Sequence, residues 1–236
     1  MRSILIMAMF TASLAFAADS YEEVRELSLS TKGVDTLSID AGSGSLNVVG
    51  ISGSDVITVT ATIQVGTGNE DKARKKIESD MNLELEKDGD TAILKAYFDH
   101  RMFGWGETPA IHLEVRMPDG LHLEIDDGSG SLEVSNVHGD VMLDDGSGSI
   151  TMSDVGGSVE IDDGSGSITV SDVGGDISIN DGSGSIKVRG VAGSVTVDDG
   201  SGGIDVSDVD EDLIIVDDGS GGLDFSNIRG RIENES

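Results

Sequence analysis

The residues best placed to do chemistry in this chain are acids that recur. Asp-Asp-Gly-Ser-Gly-Ser stands at 126–131, 144–149 and 162–167, with close copies at 180–185, 198–203 and 217–222. The second acid of each pair is Asp127, Asp145, Asp163, Asp181, Asp199 and Asp218, and an earlier related stretch has Ala41 there. The first acid is Asp126, Asp144, Asp162, Asp198 and Asp217, with Asn180 in the fourth copy. Carboxylates repeated beside glycine turns fit one chemistry above others, the binding of a hard cation. Ca²⁺ takes six to eight oxygens, which side chains and turn carbonyls of adjacent copies could supply. The same residues also make turns: Asp bonds its own backbone two residues on, and glycine takes positive φ without strain.

The spacing decides what must position these acids. The first glycine of the signature falls at Gly128, Gly146, Gly164, Gly182, Gly200 and Gly219, four steps of 18 residues and one of 19. The additional residue is placed in 207–215, where the usual Val-Gly-Gly corner reads Val-Asp-Glu-Asp. Within one unit, 146–163, the pairs Ile150/Met152 and Val159/Ile161 alternate with polar residues, the period of a strand with one buried face. A unit this small cannot bury its own apolar face, so successive coils must stack, with rungs about 4.8 Å apart. The apolar columns are then Leu132, Ile150, Ile168, Ile186, Ile204 and Leu223, beside Val134, Met152, Val170, Val188, Val206 and Phe225. Apolar residues in close pairs exclude a hexapeptide left-handed β-helix. The expected fold is an all-β parallel β-solenoid of about 18 residues per coil, with regular repeats over 121–236.

The region 19–120 is related but interrupted. Residues 40–63 carry the same glycine signature, with Leu46, Val48 and Ile51 at the apolar positions, as an early coil. Asn69, the acids after it and the Lys and Arg that follow predict one short helix over about 69–81. Residues 83–98 read as strand, Asp-Gly-Asp turn and strand, and 110–125 as strands joined by a Pro-Asp-Gly turn. Residues 64–120 are expected to form a β-rich excursion with one helix that covers or caps the N-terminal end of the solenoid.

The layout resembles the putative adhesin family of bacterial exported β-strand repeat proteins. The residues that carry the resemblance are "LSIDAGSGSLNV" (37–48), "MPDG" (117–120) and "GSGSLEV" (128–134) onward. It implies a right-handed solenoid at the cell envelope, acting as a structural or binding module.

Charge and leader narrow the setting. With 45 acidic against 15 basic side chains the formal charge is −30, so no basic surface exists from which nucleic-acid counterions could be released. Anionic lipid is disfavoured on the same ground. Residues 1–18 read as a secretory signal peptide: Arg2, an apolar run, then small residues ending Ala15-Phe16-Ala17. No segment is long and apolar enough to span a membrane. The chain has no cysteine, hence no disulfide framework. Export to the periplasm or the cell surface is expected, with an envelope protein or a glycan as partner.

Three chemistries are weighed on this frame. Stacked carboxylates about 4.8 Å apart repel by about 3–4 kcal/mol at an effective dielectric near 20, so the columns need splaying, screening or cations. Both acids of each pair are expected along an exposed edge, with Ca²⁺ at the second. Calcium β-rolls place Asp two positions after the last glycine, where this chain has Ile150, Ile168 and Ile186, so turn formation is preferred over calcium sites. A calcium-dependent adhesion or matrix protein stays as the alternative. Catalysis by a carbohydrate-active β-helix enzyme is less favoured still, because an active site needs unlike groups in one place and the rungs repeat like groups. His100, His112, His122 and His138 lack metal-ligand spacing, and Lys187 and Arg189 form no constellation. Finally, 99–109 gathers Trp105, the only Trp, with His100, Arg101 and Phe103. Plugging the solenoid end is preferred there over ligand recognition.

Overall fold

The computed structural model describes residues 20–99 and 109–235. Residues 1–18, expected to be a signal peptide, and the loop holding His100, Arg101, Phe103 and Trp105 lie outside the described residues.

The N-terminal part runs β1 (Tyr21–Ser30), β2 (Thr36–Ser43), β3 (Leu46–Ile51), β4 (Val56–Val65), α1 (Glu70–Asp80), β5 (Met81–Asp88), β6 (Thr91–Phe98), β7 (Pro109–Pro118) and β8 (His122–Val137). The coils continue as β9 (Val141–Asp145), β10 (Gly148–Val155), β11 (Val159–Asp163), β12 (Gly166–Val173), β13 (Ile177–Asp181) and β14 (Gly184–Val191). The last are β15 (Val195–Asp199), β16 (Gly202–Val209), β17 (Leu213–Asp217), β18 (Leu223–Ile228) and β19 (Ile232–Asn234).

These strands form a parallel β-solenoid. Even-numbered strands from β8 to β18 stack in one parallel sheet, and β9 to β19 stack in the other. Long β8 joins both, bending from one sheet to the other through its own Gly-Ser-Gly. The register pairs Ile150 with Leu132 and Ile168, and Met152 with Val134 and Val170, so the two apolar columns stack as the 18-residue period requires. Each regular coil points six side chains inward. In one coil these are Ile150, Met152, Val155, Val159, Ile161 and Asp163, all at most 2% exposed. Burying an aliphatic side chain contributes about 1.5–3 kcal/mol, and the columns repeat that gain on every rung.

Two corners turn the chain without hairpins. One is the Gly-Ser-Gly corner. At the other bend a left-handed residue is required, and Asn136, Asp154, Asp172, Asp208 and Asn227 adopt φ of 56–58° there. Asn and Asp tolerate that region better than other side chains, and Gly190 fills the slot in the remaining coil.

The additional residue of the 19-residue coil is not in 207–215. Val195 pairs with Leu213, 18 positions on, whereas Asp198 pairs with Asp217, 19 on. The insertion is therefore Val216, which bulges out of β17, while Val-Asp-Glu-Asp keeps the length of the corner it replaces. A bulge accommodates one unpaired residue at low cost near the end of a sheet.

The two ends differ. At the N-terminal end, β2 and β3 stack on β8 as an early coil. Antiparallel partners then close both sheets: β1 on β4, β4 on β7, and β5 on β6. Helix α1 begins where expected, with Asn69 Oδ1 accepting the Lys72 N–H at 3.0 Å, and buries Ala73 and Ile77. At the other end, Phe225 and Ile232 are each 45% exposed on the last strands.

Candidate functional site

The recurring acids separate by one residue. Alternation along β11 places Ile161 inward and Asp162 outward, and so carries Asp163 inward with Ile161. The same holds on each regular rung. Asp127 is 3% exposed, Asp145, Asp163 and Asp181 are 1%, and Asp199 is 0%. Asp126, Asp144, Asp162, Asn180 and Asp198 face solvent. The expectation that both acids line an exposed edge is thus corrected: the strand's pleat sends one inside.

Each inward carboxylate is half satisfied. Oδ1 of Asp145, Asp163, Asp181 and Asp199 accepts the N–H of the serine two residues on, at 2.9–3.1 Å. This is an Asx turn that opens the Gly-Ser-Gly corner. Oδ2 of all five, Asp127 included, is buried without a hydrogen-bond partner. Burying an unpaired charge is costly, and a group so placed shifts toward its neutral form. Burial, with the Asp145 charge second, pushes Asp127 up to about 7. Burial likewise pushes Asp145 and Asp181 up to about 6, the serine N–H bonds partly opposing it. Asp163 and Asp199 are raised from the same main cause.

Glycine is needed at this corner because the rungs touch there. A Cβ on Gly166 or Gly184 would stand 1.6 or 1.4 Å from the carbonyl oxygen of the glycine one rung earlier, at a φ of 155°. At the first glycine of the signature the same distance is 2.5–2.7 Å across Gly146, Gly164, Gly182 and Gly200.

The column has definite ends. On the N-terminal side Asp127 stacks on Ala41. On the C-terminal side the Val216 bulge breaks the series. Asp217 there takes the Asx role, accepting the Gly219 N–H at 2.9 Å, and Asp218 is half-buried rather than in line.

As ligands for Ca²⁺ these groups are few. Among the described residues no three His, Cys, Asp or Glu side chains converge on a common point. The turn carbonyls are also engaged: Asp127, Asp145, Asp163 and Asp181 accept the next rung's glycine N–H at 2.8–2.9 Å. One free oxygen per rung falls well short of the six to eight that Ca²⁺ takes.

The opposite corner carries a second, outer column that sequence reasoning missed. Asp140, Ser158, Asp176, Ser194 and Asp212 occupy one position on successive rungs. Each accepts the N–H of the residue one rung on: Ser158 to Asp140 at 2.9 Å, Asp176 to Ser158 at 3.2 Å, Ser194 to Asp176 at 2.8 Å and Asp212 to Ser194 at 3.4 Å. His122 heads the series, its Nδ1 accepting the Asp140 N–H at 3.1 Å. Arg231 closes it, donating its N–H to Asp212 Oδ1 at 2.7 Å and its guanidinium to Oδ2 at 2.6 Å. Those bonds hold Asp212 below the usual carboxylate range. Only the 18-residue register makes the alternating Asp and Ser visible.

The other singled-out residues do not converge. His112 Nδ1 faces Ser45, 2.9 Å from its Oγ, and His138 lies 3.4 Å from Asp119. Lys187 and Arg189 reach Asp205 and Asp208 of the next rung at 3.8 and 3.7 Å, in exposed pairs. A shallow groove of about 650 Å³ runs along the outer face of the β9–β15 sheet, lined among others by His122, Glu124, Asp140, Met142, Glu160 and Asp176.

Fold and corners together define a parallel β-solenoid with one carboxylate in the interior of each regular coil. Among solved structures the chain is similar to a putative adhesin from Bacteroides fragilis NCTC 9343, at 11% identity and a TM-score of 0.45, covering 90% of this chain and 97% of that one. It is also similar to a putative cell adhesion protein from Clostridium sporogenes ATCC 15579, at 11% identity and 0.34, covering 91% and 98%. A putative adhesin from Parabacteroides distasonis ATCC 8503 matches at 15% identity and 0.31, covering 90% and 97%. No protein-family model and no curated protein matches the chain.

Proposed function

We propose that this chain is an exported, non-catalytic binding or structural module of the bacterial cell envelope, adhesin-like in presenting a long repetitive face to a glycan or an envelope protein. One observation carries the reading: the outer polar groups repeat rung after rung instead of assembling unlike groups at one place. Catalysis needs a general acid and base, or a nucleophile and its activator, in one geometry. A ladder of like groups instead offers equivalent contacts along its length, which suits an extended ligand. The groove, along which Asp140, Ser158, Asp176 and Ser194 repeat beside Met142 and Glu160, is the surface of that kind on the coils.

The test is to immobilise the purified chain against glycan and envelope-protein panels. Binding should fall at least tenfold when Met142→Arg and Glu160→Lys are introduced into the groove, with the melting midpoint kept. Binding unchanged by the double variant sets the groove aside. Fractionation of producing cells, with the chain recovered in the cytoplasm, would overturn the envelope assignment.

A further inference from the structure

We propose that Asp127, Asp145, Asp163, Asp181 and Asp199 form a proton-binding column inside the solenoid, taking up protons as the chain folds. Three observations on geometry carry this. The side chains are at most 3% exposed. Each leaves one carboxyl oxygen buried and unpartnered. They stand in register on consecutive rungs, Asp127 with Asp145, Asp145 with Asp163, and so on to Asp199.

Such a column has three ways to meet the cost of buried, mutually repelling charge: a cation, a basic side chain or a proton. Cations lack ligands, as counted above. Among the described residues, no base is among the charges that act on it. Those charges are the column's own members, the outer acids Asp126, Asp144, Asp162 and Asp198, and Asp217 and Asp218 at the C-terminal end. The nearby base at the N-terminal end, Lys95, bears on Asp40 outside the column. Protons remain. A proton taken from water onto Oδ2 cancels the charge without needing space. It also turns that oxygen from an acceptor into a donor. The raised protonation of Asp127, Asp145 and Asp181 agrees with this assignment.

The sign follows from linkage. An unfolded Asp titrates near about 3.9, so between about pH 4 and pH 7 the native column holds protons that the unfolded chain has released. Stability from this source is fully present below about pH 4 and is lost as pH rises through the native values. This is the reverse of ordinary acid denaturation.

The experiment unfolds the full mature chain in urea from pH 4.5 to 8 in the presence of a chelator, and measures protons released on unfolding in unbuffered solution. Unfolding at pH 5.5 should release on the order of two protons per chain, and the urea midpoint should climb as pH falls. Asp163→Asn and Asp181→Asn, which keep the Oδ1 acceptor, should each raise the midpoint at pH 8 and reduce the pH slope. Asp154→Asn and Asp172→Asn, exposed at the left-handed slot that Asn fills elsewhere and not among the charges acting on the column, should keep the slope, which separates the column from the relief of overall negative charge. The proton count needs no variant, so a variant that fails to fold leaves the test intact. No proton release, or a midpoint that falls on acidification, overturns the proposal. So does a midpoint raised at pH 7.5 by millimolar Ca²⁺ with no proton release, which would return the column to cations.

Discussion

An outer column of alternating Asp and Ser and an inner column of Asp run along this solenoid, at two corners of the same coil, and they solve opposite problems. The outer one, from Asp140 to Asp212, spends each side chain on a backbone N–H of the next rung and ends at a guanidinium. The inner one, from Asp127 to Asp199, spends one oxygen on its own turn and leaves the other buried and unpaired. Asp serves in both, so residue type alone does not distinguish its two roles. Position does: from β9 to β15 the inner acid ends its strand, on the same face as the apolar residue two positions before it, and the outer one sits in the corner, one residue before the next strand begins. Their charges therefore behave oppositely, Asp212 being held ionised and Asp127 pushed toward the neutral acid.

The comparison can be broken most severely at the inner corner. Gly166→Ala places a methyl 1.6 Å from the Gly148 oxygen at positive φ, so the rungs must part. A loss of several kcal/mol is expected in urea unfolding, in line with strain at a special backbone conformation. At the outer corner the Gly-Gly of other coils is replaced by Asp210 and Glu211 without change of length, so Ala192→Glu should be tolerated within about 0.5 kcal/mol.

Next in size is removal of one outer link. Asp176→Ala takes away the acceptor of the Ser194 N–H and should cost about 0.5–1.5 kcal/mol, with no inner-type pH slope attached. Arg231→Gln frees Asp212 and should trim the stability that is present above the unfolded Asp range and lost as pH falls below it. The effect is small and opposite in sign to that of the inner column. It is read as the difference in urea midpoint between pH 7 and pH 3.5.

Smallest is a gain. Gly190 occupies the left-handed slot that Asn or Asp fills in other coils, and Asn227 there donates to Asp208 at 2.9 Å. Gly190→Asn, facing Asp172, should stabilise by a few tenths of a kcal/mol by restricting the unfolded chain.

Much of this architecture was legible from spacing. The apolar columns through Ile150 and Met152, the helix begun by Asn69 and the early coil at Leu46 and Val48 all follow from period and capping, because burial and hydrogen bonding act locally there. The inner acids were legible in principle, since strict alternation from Ile161 points Asp163 inward. The expectation that carboxylates stay in water outweighed that signal, and it is a sound rule that this fold breaks once per rung. Val216 has no local signature, because one more aliphatic residue after Leu213, Ile214 and Ile215 leaves the pattern unbroken, whereas the altered corner at 209–212 is conspicuous without adding length. The outer Asp and Ser series has no local signature at all, since its bonds join residues 18 apart.

The most direct test of the account is a carboxyl ¹³C titration of the chain labelled at aspartate, with the inner signals assigned through the Asp→Asn variants. Asp127, Asp145 and Asp181 should titrate near pH 6–7, apart from Asp212, which should titrate below the usual range. Inner signals that titrate with Asp212, at or below about 3.9, would contradict it.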